Sequence, residues 1–256
     1  MIQTIKINGI VIREIKTRES DKIITVLSKE AGVIEIYVKG AMRLKNRFHS
    51  AVGLFTYSEF VLHESRSSQL YQINEATPKH IFHELSYNVE YLALAMYMSE
   101  LVREVNVPDD MNNEILRLFL NTLHMLISKK WTVALCKAAF EMRLMCNTGF
   151  RPNLVGCKRC AKYETDMFFF DAENGQIVCP DCLKEYDNGY YMAEMPVIMA
   201  LRYLVYADLE KMFTFNLTGT YRKQLSAICE RYVLEHTKFE YKTLDFFKSV
   251  YIEEKN

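Results

Sequence analysis

The sequence predicts an α+β protein of several domains, and three patterns in its 256 residues support this. Runs of β-branched residues separated by tight turns come first, amphipathic helical patterns follow, and two pairs of cysteines interrupt the helical part. We expect a barrel domain at 1–77, a helical domain made of 78–150 and 188–256, and a cysteine-bearing insertion at 151–187.

The first domain contains five short runs with strand character and no helical pattern long enough to cover both faces of a sheet. The runs are Ile5–Arg13, Lys22–Leu27, Val33–Lys39, Leu54–His63 and Leu70–Asn74. Five short strands in a domain of this size favour a small closed barrel. The OB-fold is the natural candidate for such a barrel.

A basic loop joins the third and fourth runs, and Gly40 near its start suggests that it is mobile. OB-folds bind single-stranded nucleic acids by combining a cationic groove with aromatic faces on which bases stack. We therefore expect the loop to contact nucleic acid through Lys39, Arg43, Lys45 and Arg47. The next candidates, on or beside the first two strands, are Lys6, Arg13, Lys16 and Lys22.

The distribution of charge agrees with a local binding surface for a polyanion. The whole chain is neutral, with 32 Lys/Arg and 32 Asp/Glu, but residues 1–50 hold ten Lys/Arg against five Asp/Glu. The alternative is an ordinary solvated basic patch. The aromatic residues near the loop either stack on bases or belong to the barrel core, and they are Tyr37, Phe48, Phe55 and Tyr57.

Helical patterns lie on both sides of the insertion. Thr77 is predicted to cap the first helix, with Pro78 in its first turn. The later helices are predicted at Glu114–Lys129, Val133–Asn147, Val197–Met212, Tyr221–Glu235 and Leu244–Glu254. Gly149 is a normal stop after the helix that precedes the insertion.

Four cysteines in the insertion have the spacing of a metal site. Cys157 and Cys160 form one pair and Cys179 and Cys182 the other, in the pattern C-x2-C-x18-C-x2-C. Two residues between paired thiols allow one turn to present both sulfurs to the same ion. Four thiolates complete a tetrahedron and leave no position for water or substrate, so we predict one structural zinc ion.

The segment between the cysteine pairs supports a zinc ribbon. Met167–Asp171 has strand character, Gly175 supplies a turn, and Gln176–Val178 leads back to the second pair. The alternatives are two disulfides or four buried thiols. A redox pair is disfavoured because neither C-x-x-C opens a helix within a βαβ unit.

Known catalytic motifs are absent from the sequence. It has no P-loop, GxGxxG, GxSxG or HExxH, and no histidine is followed two residues later by Glu, as a zinc deaminase requires. We therefore expect a protein that is not an enzyme. The alternative is a thiol or zinc enzyme, which would need an accessible thiol or an open zinc position. No signal-peptide pattern and no apolar run of membrane-spanning length is found, which predicts a cytoplasmic protein without membrane contact.

Three segments resemble the bacterial RecO family of recombination mediators. The first lies within Gly9–Arg43 and includes Gly-Ile-Val-Ile-Arg and Val-Lys-Gly-Ala-Met-Arg. The second, Leu144–Leu154, contains Gly-Phe-Arg-Pro-Asn-Leu and precedes the first cysteine pair, and the third lies within Leu234–Phe246. The resemblance covers nearly the whole chain in order, and all four cysteines are present.

This resemblance implies a DNA repair protein that binds single- and double-stranded DNA and anneals complementary strands. It also implies help in loading RecA onto coated strands, association with the bacterial nucleoid, and two protein partners, RecR and the C-terminal tail of single-stranded-DNA-binding protein. A second class of protein that fits the residues is an RNA-binding OB-fold and zinc-ribbon protein of translation or transcription.

The partner tail that the resemblance implies is acidic and ends in an apolar residue. Such a tail needs an apolar groove edged by cations. The predicted groove residues on the second predicted helix and directly after it are Arg117, Phe119, Lys129 and Lys130. The alternative is that the apolar residues of this helix are bundle core and its cations a solvated face.

Overall fold

The computed structural model describes most of the chain as two compact units. The described residues are 4–17, 19–43, 45–64, 70–105, 107, 109–185, 189–217 and 219–252. The units are Met1–Leu92 with Val107–Arg117, and Ala93–Asn106 with Leu118–Asn256.

The first unit is built on a closed barrel. Its strands are β1 (Thr4–Thr17), β2 (Asp21–Ser28), β3 (Gly32–Val38), β4 (Thr56–Glu64) and β5 (Tyr71–Ile81). Their order is β1-β2-β3-β5-β4, and β4 returns to pair with β1. β3 and β5 pair in parallel, whereas the other neighbours are antiparallel. This topology is that of an OB-fold, so the predicted fold is confirmed.

The barrel interior is filled by apolar side chains that alternate with outward-facing neighbours along the strands. Ile7, Val11, Ile24, Ile36 and Phe60 are at most 1% exposed. Burying each such side chain stabilises the fold by about 1.5–3 kcal/mol. A register shift by one residue would turn these side chains to the solvent, so the pairing of the strands is fixed. The cations on the outer face consequently have defined positions.

The fifth strand continues through the residues that were predicted to begin a helix. It runs through Pro78 and stays paired with β4 to its end. The register shifts at Ser58, which pairs with Pro78, and Lys79 is the extra residue of the bulge. A bulge tolerates proline because the ladder is already interrupted there. The prediction that Thr77 and Pro78 open a helix was wrong.

The first α-helix, α1 (Val89–Glu104), begins after a 3-10 turn at His83–Tyr87. Asn88 caps this helix, because its side-chain oxygen accepts hydrogen bonds from the N–H groups of Glu90 at 2.8 Å and Tyr91 at 3.1 Å. Helical structure therefore starts later along the chain than the sequence pattern predicted.

The remaining helices are α2 (Asn112–Ile127), α3 (Val133–Asn147), α4 (Met195–Tyr206), α5 (Gly219–Thr237) and α6 (Lys242–Val250). The bounds of α3 match the prediction, and Thr132 caps it by accepting a hydrogen bond from the N–H of Leu135. The predicted end of the last helix, Glu254, lies outside the described residues. Among the helices of the described chain, none has both the length and the apolar character needed to cross a membrane.

α4 ends at Tyr206, earlier than predicted. Two arginines satisfy carbonyl groups at this end: Arg143 donates to the carbonyl of Ala207, and Arg151 donates to the carbonyl of Val205 at 2.9 Å. The last carbonyls of a helix lack partners within the helix, so these side chains stabilise the early end.

A small sheet lies between the helices of the second unit, and its strand order is β6-β8-β7-β9. Its strands are β6 (Asn153–Cys157), β7 (Met167–Asp171), β8 (Gln176–Val178) and β9 (Tyr190–Glu194). The predicted hairpin of β7 and β8 is confirmed, and Gly175 in its turn has a φ of 62°. The sequence reasoning did not predict β6 and β9.

Candidate metal centre and nucleic-acid interface

The structure brings the four paired cysteines together in the second unit. Cys157 ends β6, Cys160 lies in the turn that follows, Cys179 follows β8, and Cys182 ends a short 3-10 turn. Their sulfur atoms all lie within 4.8 Å of one another, and those of Cys160 and Cys179 are 3.6 Å apart. Sulfurs held at about 2.3 Å from one ion at the corners of a tetrahedron are about 3.8 Å apart. The cluster therefore has the dimensions of a metal site.

Backbone hydrogen bonds shape the turn that carries the first cysteine pair. The N–H of Cys157 donates to the carbonyl of Lys162 at 2.9 Å, and the N–H of Ala161 donates to the carbonyl of Cys157 at 2.8 Å. A Cβ added at Gly156 would lie 2.9 Å from the carbonyl oxygen of Ala161, so only glycine fits there without displacing the backbone. Ala161 has a φ of 59°. The chain thus folds back sharply enough to turn both thiols to the same side.

The surroundings of Cys157 favour the form that binds metal. Burial raises the pKa of its thiol, but hydrogen bonds from the backbone of Cys179, Arg159 and Cys160 oppose burial and bring the pKa to about 6. A metal ion binds the thiolate, so a lowered pKa makes binding at neutral pH easier. Four sulfur donors within 4.8 Å of one another fit a metal ion that all four would coordinate.

Lys158, between the first two cysteines, ties this turn to the hairpin of β7 and β8. Its ammonium lies 2.8 Å from the carboxylate of Asp171, which also accepts a hydrogen bond from the N–H of Asn174 at 3.1 Å. Burial raises the pKa of Asp171, but the hydrogen bonds from Lys158 and Asn174 outweigh burial and hold the pKa below its usual value. The carboxylate is therefore ionised at neutral pH.

A buried arginine fixes the small sheet to α4. Arg202 is 6% exposed, and its guanidinium donates to the carbonyls of Leu154 at 2.7 Å, Val155 at 3.1 Å and Tyr163 at 2.9 Å. Sequence reasoning missed this residue. The available signal was that Arg202 is the single charged residue of an otherwise apolar helix.

The described residues of the basic loop, 39–43 and 45–53, form a series of turns. Asp21, 7% exposed, accepts hydrogen bonds from the N–H of Gly40 at 2.7 Å and from the hydroxyl of Tyr37. Farther along, Asn46 donates from Nδ2 to the carbonyls of Lys39 at 3.2 Å and Gly40 at 2.9 Å. These bonds hold the start of the loop against the barrel.

Strand register gathers several predicted cations at one end of the barrel, which we call the basic end. Lys16 pairs with Lys22, and Lys22 pairs with Val38 on the next strand. Lys39 follows β3 directly and leads into the loop. Lys22 is partly neutralised by Glu14, whose carboxylate lies 2.7 Å away. The exposed cations of the loop that complete the basic end are Arg43, Lys45 and Arg47.

Two predicted strand cations have different surroundings. Lys6 lies at the other end of β1, opposite Val61, and its ammonium is 2.8 Å from Glu59, which also lies 3.2 Å from Lys79. Arg13 is exposed beside the irregularity in the β1–β2 pairing. The structure therefore does not bring Lys6 to the basic end.

The aromatic residues near the loop differ in exposure. Phe55 is 3% exposed and belongs to the core, as one of the two interpretations expected. Phe48 is half-buried and lies 4.6 Å beneath the guanidinium of Arg47. Tyr37 and Tyr57 are also half-buried. Phe48 is thus the aromatic side chain of the loop itself that is partly open to solvent and next to a cation.

The predicted tail-binding residues differ in exposure. Phe119 is fully buried, and its ring packs edge-on against Phe140 at 5.8 Å. Arg117 is half-buried, and its guanidinium lies 2.9 Å from the carboxylate of Glu114. Lys129 and Lys130 are exposed. Phe119 is a core residue, which is the alternative interpretation of this helix, and a tail could reach it only by opening that core.

A hollow of about 350 Å³ in the second unit is lined by cations together with aromatic side chains. It lies between α3, α5 and α6, and among the described residues that line it Glu230 is the one carboxylate. The cationic and aromatic residues that line it are Lys137, Arg222, Lys223, Lys248, Phe247 and Tyr251. Sequence reasoning missed the hollow because three helices, distant along the chain, contribute to it.

Lys137 is a buried charge in the wall of the hollow. It is 2% exposed, and its ammonium lies 2.8 Å from both Glu141 and Glu230. Burial lowers the pKa of Lys137, but these two carboxylates outweigh burial and raise it. Glu230 is in turn 2.5 Å from Lys248, and Glu141 accepts a hydrogen bond from Tyr97. Lys137 is therefore a structural charge of the wall, held between Glu141 and Glu230.

The fold and the sites together define the class of protein. It is an OB-fold protein whose helical unit carries an inserted four-cysteine sheet. The family model described as Recombination protein O N terminal matches residues 1–82, and the one described as Recombination protein O C terminal matches residues 87–245. The chain belongs to the RecO family, as the sequence resemblance predicted.

Curated relatives match along almost their whole length. The DNA repair protein RecO of Acetivibrio thermocellus is 31% identical over 246 residues, which cover 96% of this chain and 97% of the relative. The protein of the same name from Alkaliphilus metalliredigens is 29% identical over 247 residues, covering 96% and 99%. That of Caldicellulosiruptor saccharolyticus is 28% identical over 246 residues, covering 96% and 98%.

Proposed function

We propose that this protein acts in DNA repair by binding single-stranded DNA at the basic end of its barrel and annealing complementary strands. The observation that carries the proposal is the register that gathers Lys16, Lys22 and Lys39 beside the three loop cations. The names of the curated relatives support the repair role. Annealing requires strands to be held and aligned, so the role needs no catalytic residues.

The basic end suits a phosphate backbone because its cations are spaced along a loop whose start is held against the barrel. Asp21 and Asn46 hold the start of that loop, so binding costs less ordering of the chain. Phe48 packs against the barrel core and supports Arg47, whose guanidinium lies over its ring. Double-stranded DNA would use the same phosphate contacts, since these carry no sequence information.

The test of DNA binding is the salt dependence of affinity for a single strand. Replacing Arg43, Lys45 and Arg47 with alanine removes up to three cations that face phosphates. The slope of log affinity against log salt should then flatten by about 0.7 for each phosphate that is no longer neutralised. The control variant replaces three exposed lysines of the second unit, Lys211, Lys238 and Lys242. If the loop variant is folded and its salt slope is unchanged, single-stranded DNA binds at another site than the basic loop. Tighter binding to RNA than to DNA of equal length would favour an RNA-binding role.

We propose that Cys157, Cys160, Cys179 and Cys182 hold one structural zinc ion. When bound, the ion would cross-link the two cysteine turns and contribute to folding, with all four positions occupied by sulfur. Replacing Cys179 with serine should lower the stability and soluble yield more than the DNA affinity per folded molecule. Less than half an equivalent of zinc in freshly purified protein would contradict the assignment.

We propose that the protein helps to load RecA onto coated strands and that it has two protein partners, RecR and the tail of single-stranded-DNA-binding protein. The hollow suits an acidic tail that ends in an apolar residue. Arg222, Lys223 and Lys248 provide charge for carboxylates, and Phe247 and Tyr251 provide an apolar surface. RecR is proposed on the family membership alone.

A labelled acidic peptide with a C-terminal phenylalanine tests the tail site. Replacing Lys248 with alanine should weaken binding to the full chain, whereas replacing Lys129 and Lys130 should not. The reverse result would favour the tail site predicted from sequence, at Lys129 and Lys130. Equal binding of a peptide without the phenylalanine would indicate nonspecific attraction.

A further inference from the structure

Exposed apolar side chains lie next to one another on the second unit, outside the sites described above. Val155, Tyr163, Met199 and Tyr206 are 60%, 50%, 51% and 43% exposed. Arg202 connects three of them, because it donates to the carbonyls of Val155 and Tyr163 and its Nη1 lies 3.7 Å from the sulfur of Met199. The hydroxyl of Tyr206 accepts a hydrogen bond from the backbone of β6 at 2.9 Å. We call these four side chains the tyrosine face.

Arginines hold both tyrosine rings in place. The guanidinium of Arg202 lies 4.2 Å from the centre of the Tyr163 ring, and that of Arg151 lies 5.3 Å from the centre of the Tyr206 ring. Both arginines are themselves bound to backbone carbonyls. A ring held in this way loses little conformational freedom when another planar group stacks on its exposed side. The cation on the other side favours an electron-rich or anionic ligand.

The segments that form the tyrosine face contain no carboxylate. Residues 151–163 include four cations and no Asp or Glu, but Lys158 lies 2.8 Å from Asp171 and Lys162 lies 2.5 Å from Asp181. Arg151 and Arg202, which lie against the two rings, instead donate to backbone carbonyls. The whole chain, in contrast, has 32 residues of each sign. The carboxylates that follow the two segments are Glu164 and Asp208, and Asp208 lies 3.2 Å from Lys211. The charges next to the two rings are therefore those of Arg151 and Arg202, and they favour an anionic ligand that carries planar groups.

We propose that the tyrosine face is a second binding site for single-stranded DNA, at which bases stack on Tyr163 and Tyr206. This inference rests on the proposed function, since annealing brings two strands together and the basic end offers phosphate contacts for one. The two sites differ in chemistry. Phosphate contacts weaken steeply with salt, whereas stacking of bases on aromatic rings depends on surface contact.

A pair of substitutions at one position separates stacking from general apolar contact. Tyr163→Leu removes the ring but keeps an apolar side chain, whereas Tyr163→Phe keeps the ring. Anisotropy of a labelled oligothymidylate should show about tenfold weaker binding to the leucine variant, because one stacked base contributes on this scale. The salt slope should stay unchanged, and the phenylalanine variant should bind like the parent. Met199→Leu is the apolar control, and unfolding midpoints verify that each variant is folded.

The parent protein provides a second measurement that needs no substitution. Ultraviolet cross-linking to a strand that contains bromodeoxyuridine should label peptides that contain Tyr163 or Tyr206, besides those of the basic loop. Cross-links found only in peptides of the barrel would contradict the proposal that single-stranded DNA binds at the tyrosine face.

The outcomes also separate this inference from the proposed function. If Tyr163→Leu binds as the parent does while the loop variant binds weakly, the tyrosine face is wrong and the proposed function stands. If the parent binds no single-stranded DNA, both are wrong. If Tyr163→Leu leaves DNA affinity unchanged but alters sedimentation, the face is a contact between protein copies and the inference is overturned.

Discussion

Asp21 shows how one side chain positions a binding loop. It is nearly buried at the start of β2, and it accepts hydrogen bonds from the first glycine of the basic loop and from Tyr37 on the neighbouring strand. A buried carboxylate needs such donors, because an ionised group without partners is costly in the interior. The need to satisfy Asp21 therefore fixes the path of the chain that carries the cations.

Replacing Asp21 with alanine should release the loop. We expect the free energy of unfolding to fall by about 2 kcal/mol, since a charged acceptor of hydrogen bonds is removed. Single-stranded DNA should bind more weakly, although every cation is retained. Urea denaturation and DNA titration measure the two effects. Asp21→Asn keeps an acceptor for the N–H of Gly40 and should be less destabilising. Full stability of the alanine variant would mean that other interactions order the loop.

The lowered pKa of Asp171 predicts that the stability of the protein depends on pH. Its pKa in the folded protein lies below the usual value, so its contribution is present above about pH 4 and is lost as the pH falls through the folded pKa. Asp171→Asn should cost about 2 kcal/mol at pH 7. The difference from the parent should shrink progressively as the pH falls below about 4 toward the folded pKa, because the unfolded chain then takes up a proton at Asp171 more readily than the folded protein does. Urea denaturation at several pH values measures this.

Glu173 in the same turn is exposed and supplies the control. Replacing it with glutamine should change stability little at any of these pH values. An equal loss for Asp171→Asn at pH 3 and pH 7 would contradict the assigned role of the Lys158–Asp171 pair.

At the scale of elements, the small sheet depends on α4 through Arg202. Its guanidinium satisfies three carbonyls of β6 and the following loop at once, which a lysine ammonium cannot reproduce in the same fixed geometry. Arg202→Lys should therefore lower the free energy of unfolding by about 3 kcal/mol, because carbonyls lose charged donors. Arg231→Lys, at an exposed ion pair on α5, is the matched control and should cost under about 0.5 kcal/mol.

Denaturant unfolding of both arginine variants measures these losses. A small effect of Arg202→Lys would mean that apolar packing alone holds the sheet on α4. If Arg202→Lys lost much of its bound metal while its free energy of unfolding stayed unchanged, the role of Arg202 would instead be to support the four-cysteine site.

Several elements were predictable because their signals are local. The hairpin of β7 and β8 follows from an aromatic run, a turn glycine and a return to Cys179. The bounds of α3 follow from its cap at Thr132. The helix predicted to begin at Pro78 was wrong. Pro78 lies at a bulge in β5, and this bulge depends on the pairing with β4, which the local sequence does not show. β6 and β9 are short strands whose partners lie elsewhere in the chain.

At the scale of the whole molecule, a neutral chain carries an uneven distribution of charge. The excess of cations in the first 50 residues was visible in the sequence, and the strand register then concentrates it at one end of the barrel. The four cysteines were equally visible, since two short spacings define them. The hollow and the tyrosine face were not, because each combines residues from segments that only the fold brings together.

The rate of strand annealing tests the central claim most directly. Two complementary labelled strands, mixed at a concentration where they pair slowly, should anneal several-fold faster with the parent protein. The variant with alanine at positions 43, 45 and 47 should lose most of that acceleration while keeping its unfolding midpoint, and the Lys211, Lys238 and Lys242 control should keep it. A parent protein that leaves the annealing rate unchanged, or a loop variant that accelerates it fully, would contradict the account.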